Sequence, residues 1–92
     1  MIKTFNCKET HKIFNREGSK QFGNLERVAL RKLTMLHAAY ELNDLRVPPG
    51  NHLEKLHGDR RGQHSIKIND QWRICFEWKN GDAYNLEIVD YH

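Results

Sequence analysis

The run Val89-Asp90-Tyr91-His92 places a carboxylate, a phenol and an imidazole directly after an apolar, strand-like stretch containing Leu86, Ile88 and Val89. An imidazole titrates near pKa 6.5 and exchanges protons at neutral pH. Held still by that stretch, His92, Tyr91 and Asp90 are proton-handling groups; left loose, they are a polar, exposed tail. Arg73 lies upstream in Trp72-Arg73-Ile74-Cys75-Phe76, and a guanidinium forks onto phosphate oxygens. A strand arginine is costly unless paired, so a site role and a structural ion pair with Glu77 or Glu87 both stay open.

Those groups match what RNA cleavage without a metal demands. A base must take the 2′-hydroxyl proton, cations must stabilise charge on the phosphorane, and an acid must protonate the leaving 5′-oxygen. Arg73 with Lys55, Arg60, Arg61 and Lys67 supply cations, and His57, His92, Tyr91, Asp90 or Glu54 supply proton carriers. Lys55 to Arg61 reads equally well as a solvated loop. His64 shares a face with Ile66 and Ile68 and reads as a core histidine, while His11 and His37 fall on helices without convergent partners. Cys7 and Cys75 lack CxxC spacing, and with six scattered histidines they form no metal-ligand pattern, so neither a metal nor a cofactor is expected.

Charge is unevenly placed. Residues 1–45 hold eight Lys/Arg against five Asp/Glu, residues 46–73 six against three, and residues 74–92 one against four. A basic middle that also carries His52, His57 and His64 suits a polyanion, and the acidic end suits a basic partner.

The elements that must position these groups follow from periodicity. The length of 92 residues allows one domain, residues 1–92, with one core. Nothing in it is long and apolar enough for a bilayer, and no secretory signal pattern opens it, so a cytoplasmic protein without membrane contact is expected. Ile2 to Phe5 is a short extended segment, and Glu9 to Phe14 a short helix leaving near Gly18. Asn24 is a candidate N-cap for an amphipathic helix of about four turns. That helix buries Leu25, Val28, Ala29, Leu33, Leu36, Ala39 and Tyr40, with Glu26, Arg27, Arg31 and Lys32 opposite. Pro48-Pro49-Gly50 enforces an irregular, extended link.

Beyond the link the period becomes two. Residues 63–69 and 72–78 alternate as strands, with Trp72, Ile74, Phe76 and Trp78 on one face and Lys67, Arg73 and Glu77 on the other. Asn80-Gly81 signals a tight hairpin into a last strand, Tyr84 to Val89. The order is β-α-α-β-β-β, an α+β fold whose antiparallel meander carries two helices on one face and leaves the other open. Strict alternation puts Asp90 and His92 on the core side and Tyr91 opposite, unless the strand ends or bulges before Asp90.

The chain also resembles a known family. The runs Pro48-Pro49-Gly50-Asn51-His52-Leu53-Glu54-Lys55-Leu56, Gly58-Asp59-Arg60, Gly62-Gln63-His64-Ser65-Ile66, Asn69-Asp70-Gln71-Trp72-Arg73-Ile74-Cys75-Phe76 and the closing Asp90-Tyr91-His92 are similar to the HigB branch of the RelE/ParE toxins. The resemblance implies a small microbial-RNase-like fold and a type II toxin that enters the ribosomal A site and cuts mRNA. It also implies a HigA-like helix-turn-helix antitoxin that binds the toxin and represses the shared operon, so that operator DNA is reached only through the antitoxin. It assigns function to Asp90, Tyr91, His92 and Arg73, with basic loop residues before the meander. This chain departs where some relatives place a histidine and a lysine, carrying Glu54 and His57 instead. Two other classes remain: a ParE-like gyrase inhibitor without RNase activity, which needs no terminal acid/imidazole cluster, and a non-catalytic module that binds nucleic acid or antitoxin.

Overall fold

Alternating Trp72, Ile74, Phe76 and Trp78 build the central strand of a four-stranded antiparallel sheet. In the computed structural model, which describes residues 1–90 and leaves Tyr91 and His92 outside the described residues, the strands are β1 (Glu54–Lys55), β2 (His64–Lys67), β3 (Trp72–Lys79) and β4 (Asp82–Asp90), adjacent in chain order. Asn80 and Gly81 make the expected two-residue hairpin with positive φ at both positions, 51° and 81°. Two helices, α1 (Lys8–Phe14) and α2 (Glu26–Ala38), bury Ile13, Ala29, Leu33 and Leu36 against Ile66, Ile74, Phe76, Leu86 and Ile88. Thr10 of α1 anchors that layer by accepting a hydrogen bond from the Ile88 amide at 3.2 Å.

Several elements differ from the sequence expectation, each for a local reason. The exit from α1 occurs before Gly18: the Arg16 amide donates to Ile13 and the Glu17 amide to Lys12, with Arg16 at φ 62°, a Schellman-type close. Asn24 does not cap α2, because residues 23–25 form a 3-10 turn leading into it, and no side chain caps either. Tyr40, assigned to the apolar stripe, lies past the helix end and is 88% exposed. Lys32, assigned to the polar face, is buried, since it stands three residues after Ala29 and four before Leu36 on the same stripe. The Pro-Pro-Gly link is not simply extended: Pro49–Asn51 is a 3-10 turn.

The N-terminal segment joins β4 at its outer edge in parallel, through bridges Ile2 to Ala83 and Phe5 to Leu86. Between those bridges β4 carries a bulge: Cys75 pairs with Glu87 but Glu77 with Tyr84, and Asn85 sits at φ 56°. Thr4 fills the gap by accepting from the Asn85 amide at 2.8 Å.

The sheet face away from the helices is less open than expected. Ser65, Arg73 and Cys75 are buried there, and Leu56 is buried apart from the main core. The 49–63 segment closes over this face, with the His52 carbonyl accepting from Arg73 and Arg60 reaching Glu87.

Candidate nucleic-acid interface

Arg73 is 7% exposed, and its side chain is fixed from two sides. Nε donates to Ser65 Oγ at 2.8 Å on β2, and Nη2 donates to the His52 carbonyl of the covering loop and to the Ser65 carbonyl at 3.4 Å. Its carboxylate neighbour is Glu54, 3.9 Å away, rather than Glu77 or Glu87. Those two acids are engaged elsewhere: Glu77 accepts from Asn85 Nδ2, and Glu87 from Arg60 Nη1 at 2.7 Å. Among the described residues Arg73 is thus held by neutral acceptors, with the Glu54 carboxylate at 3.9 Å.

Beside it opens a cavity of about 170 Å³ lined by His52, Lys67, Asn69, Asp70 and Arg73. Lys67 pairs across the ladder with Arg73, so the two cations share a face. Asp70 takes one bond from Lys67 Nζ at 3.0 Å, and that partner holds its carboxyl below the usual range. Asn69 shapes the turn by accepting from the Gln71 and Trp72 amides at 2.9 and 2.8 Å, and it also lines a second cleft of about 310 Å³ with Phe22, Leu25, Val28 and Trp72.

The other sequence candidates are scattered relative to Arg73. Lys55 pairs with His64 in β1, so period two puts it on the helix side, and it is Glu54 that shares the Arg73 face. Arg60 is half-buried and bonded to Gln63 Oε1 and Glu87, spanning the buried Cys75 region rather than standing as a bare loop cation. Arg61 and His57 flank the 58–60 turn and are exposed, and His57 is not among the residues lining the Arg73 cavity. Asp90 pairs with Trp72 and is held by Gln71 Nε2 at 3.1 Å, because the bulge falls at Asn85, too early to turn Asp90 onto the Arg73 face. Tyr91 and His92 fall outside the described residues.

His64 lies where the sequence put it, stacked near Phe76 with ring centroids 6.1 Å apart. Among the described residues its buried Nδ1 finds no hydrogen-bond partner, and burial first, then the Lys55 charge, push its pKa down. Burial raises the Cys75 thiol, which makes it a packing residue rather than a nucleophile.

Three contributors were missed from sequence: Ser65, Asn51 and Lys32. Ser65 was readable, since it alternates with Lys67 on the Arg73 face. Asn51 is fully buried, donating to the Leu45 carbonyl at 3.1 Å and accepting from Lys32 Nζ at 2.5 Å, which ties the covering loop to α2. Burial, then the neighbouring Arg31, lower the Lys32 pKa. Among the described residues no group of three His, Cys, Asp or Glu is placed to hold a metal ion, and no helix is long and apolar enough to cross a membrane.

The family described as the RelE-like toxin of the type II toxin-antitoxin system HigB matches residues 3–92. The chain belongs to this HigB-like family. Toxin HigB-1 of Vibrio cholerae is 45% identical over 65 residues, 71% of this chain and 68% of that protein. Endoribonuclease HigB of Proteus vulgaris is 41% identical over 64 residues, 66% of this chain and 65% of that protein. Among solved structures, YafQ from E. coli superposes with a TM-score of 0.61 at 12% identity, covering 98% of this chain and 91% of that one. The YoeB-YefM toxin-antitoxin complex from Staphylococcus aureus superposes with a TM-score of 0.62 at 16% identity, covering 100% and 98%. At such identities the likeness is one of fold: the HigB-like chain and these toxins share the helix-backed antiparallel sheet. The chain is thus a HigB-type toxin of a toxin-antitoxin system, a family with endoribonuclease members.

Proposed function

We propose that this protein is an endoribonuclease that cuts mRNA in the ribosomal A site without a metal, acts in the cytoplasm, and is neutralised by a HigA-like helix-turn-helix antitoxin. The observation carrying the reading is the rigidly held Arg73 beside Lys67 at an open cavity, in a chain of the HigB-like family with a relative named Endoribonuclease HigB. In this reading the 2′-oxygen attacks the adjacent phosphorus and the bond to the 5′-oxygen breaks. Arg73 neutralises charge on the phosphorane, a role in which preorganised donors outperform mobile ones. His92 donates the proton to the leaving oxygen, and Tyr91 stacks on or orients a base. Asp90, bonded to Gln71 on the helix side, fixes the backbone leading to them rather than touching phosphate. Lys67 contacts the reacting phosphate, and His57 and Arg61 contact neighbouring stretches of the RNA backbone. Arg60 adds charge while bridged to Glu87, and Lys55 meets RNA from the other side of the sheet edge.

The test is primer extension on mRNA translated by purified ribosomes, comparing the wild type with Arg73→Ala and His92→Ala. Each variant is expected to lose about 10² to 10⁴ in cleavage rate, the range for one catalytic proton carrier or oxyanion donor. Wild-type rates in both variants would remove the site. Absence of codon-phased cuts by the wild type, with trapped gyrase-DNA complexes instead, would remove the RNase reading altogether. Co-expression with the gene next to it should restore growth through a stoichiometric complex.

A further inference from the structure

The loop that covers Arg73 brings a histidine of its own, His52, to the cavity. His52 lies exposed at the mouth of the cavity it lines with Lys67, Asn69, Asp70 and Arg73. At about 170 Å³ and open to solvent, the cavity has room for a phosphate group. His52 is held in the left-handed region, φ 43° and ψ 59°, a conformation that a non-glycine residue takes only when its surroundings impose it. Those surroundings are explicit. The His52 amide donates to the Pro49 carbonyl at 3.1 Å, its carbonyl accepts from Arg73, and the preceding Asn51 is latched to the buried Lys32 and to the Leu45 carbonyl. This backbone geometry places His52 at the rim of the cavity beside the guanidinium that its own carbonyl holds.

We infer that His52 is a catalytic residue of the site, the base that takes the 2′-hydroxyl proton. The inference rests on the RNase reading above and supplies the group which that reading leaves without an owner. As the bond from O2′ to phosphorus forms, the hydroxyl proton passes to the neutral imidazole of His52. The bond from phosphorus to O5′ breaks with its electron pair on O5′, which takes a proton from His92. The products are a 2′,3′-cyclic phosphate and a 5′-hydroxyl, with one proton moved onto His52 and one off His92. Lys67 and Arg73 on the sheet, and Asp70 at the turn, are the charged groups that line the cavity with His52. Glu54 points to the same sheet face but stands 3.9 Å from Arg73 as its counter-charge, which suits a carboxylate holding the guanidinium in place.

His52→Asn and His52→Gly both accept left-handed backbone and keep the carbonyl that binds Arg73, so they remove the imidazole without disturbing the loop. Cleavage would be measured on purified ribosomes from pH 5 to 8.5, with Arg73→Ala alongside. The expected result is a rate loss of about 10² or more in both His52 variants, loss of the acidic limb of the pH profile, and partial recovery of His52→Gly by free imidazole. Wild-type rate in His52→Asn while Arg73→Ala is inactive would overturn this assignment and leave the site standing. Slow cleavage with an unchanged acidic limb and no imidazole rescue would also overturn it, reducing His52 to loop geometry. Full activity in Arg73→Ala would instead overturn the reading on which it rests.

Discussion

Removing the Asn51 side chain tests whether the covering loop is locked to α2 through one buried amide. Asn51→Ala strips the Lys32 ammonium of its acceptor, leaves the Leu45 carbonyl without its side-chain donor, and opens a small void. Lys32 is 7% exposed and Asn51 0%, so little water is at hand to replace those bonds. A hydrogen bond to a charged group contributes about 2 kcal/mol and a neutral one about 1 kcal/mol, and a void of this size costs ~1 kcal/mol. The sum is roughly 4 kcal/mol, which for a domain of this length lowers Tm by about 15 to 30 °C. Lys32→Met removes the charge together with its desolvation penalty, leaving one amide oxygen unpaired, and should cost about 1 kcal/mol. The double variant Lys32→Met/Asn51→Ala should then lose ~1 to 2 kcal/mol less than the two single losses added. Urea unfolding followed by the fluorescence of Trp72 and Trp78 measures all four proteins. A pH series adds a sign. Lys32 titrates below the ordinary lysine value when folded, so the unfolded chain binds more protons between the two values. The penalty for keeping Lys32 charged is therefore relieved as pH rises toward 10.5, and wild type should gain on Lys32→Met over that rise. A fall of less than about 5 °C for Asn51→Ala, or strict additivity in the cycle, would refute the latch.

Two further outcomes follow from the same kind of reasoning. His64 has its folded pKa depressed by burial and Lys55, so its stability contribution is present above pH 6.5 and lost as pH falls through the lower folded value. His64→Phe should hold its urea midpoint between pH 7.5 and 5 while wild type declines; parallel curves would count against it. Cys75 is fully buried with a raised pKa and Cys7 is half-buried, so the native protein should titrate at most one thiol rapidly with a disulfide reagent and expose the second only on unfolding. Rapid reaction of both in native buffer would contradict that packing.

The fold was legible wherever a single period ran long enough to be read. Ile66, Ile68, Ile74, Phe76, Leu86 and Ile88 alternate cleanly, and the Asn80-Gly81 turn can join its strands in one way only, so the meander and its helix-side face follow directly. The helical stripe gave α2 but misassigned Lys32, because charge was read as exposure when position three after Ala29 places the residue inside. What stayed hidden depends on tertiary contacts. A bulge at Asn85, the capture of Arg60 by Glu87, and the folding of the 49–63 loop over Ser65 and Cys75 leave no periodic trace. The site was legible at Arg73 and Lys67, whose shared face follows from alternation. It was illegible at His52, whose position comes from a left-handed backbone between a proline turn and an arginine.

The parallel bridges of Ile2 to Ala83 and of Phe5 to Leu86 bind the first stretch of chain to the last strand made. During synthesis that edge has no partner until residues 83–86 have left the ribosome, and loops of such span are slow to close even then. That edge of the sheet is therefore the last to close, by contacts that span nearly the whole of the described chain.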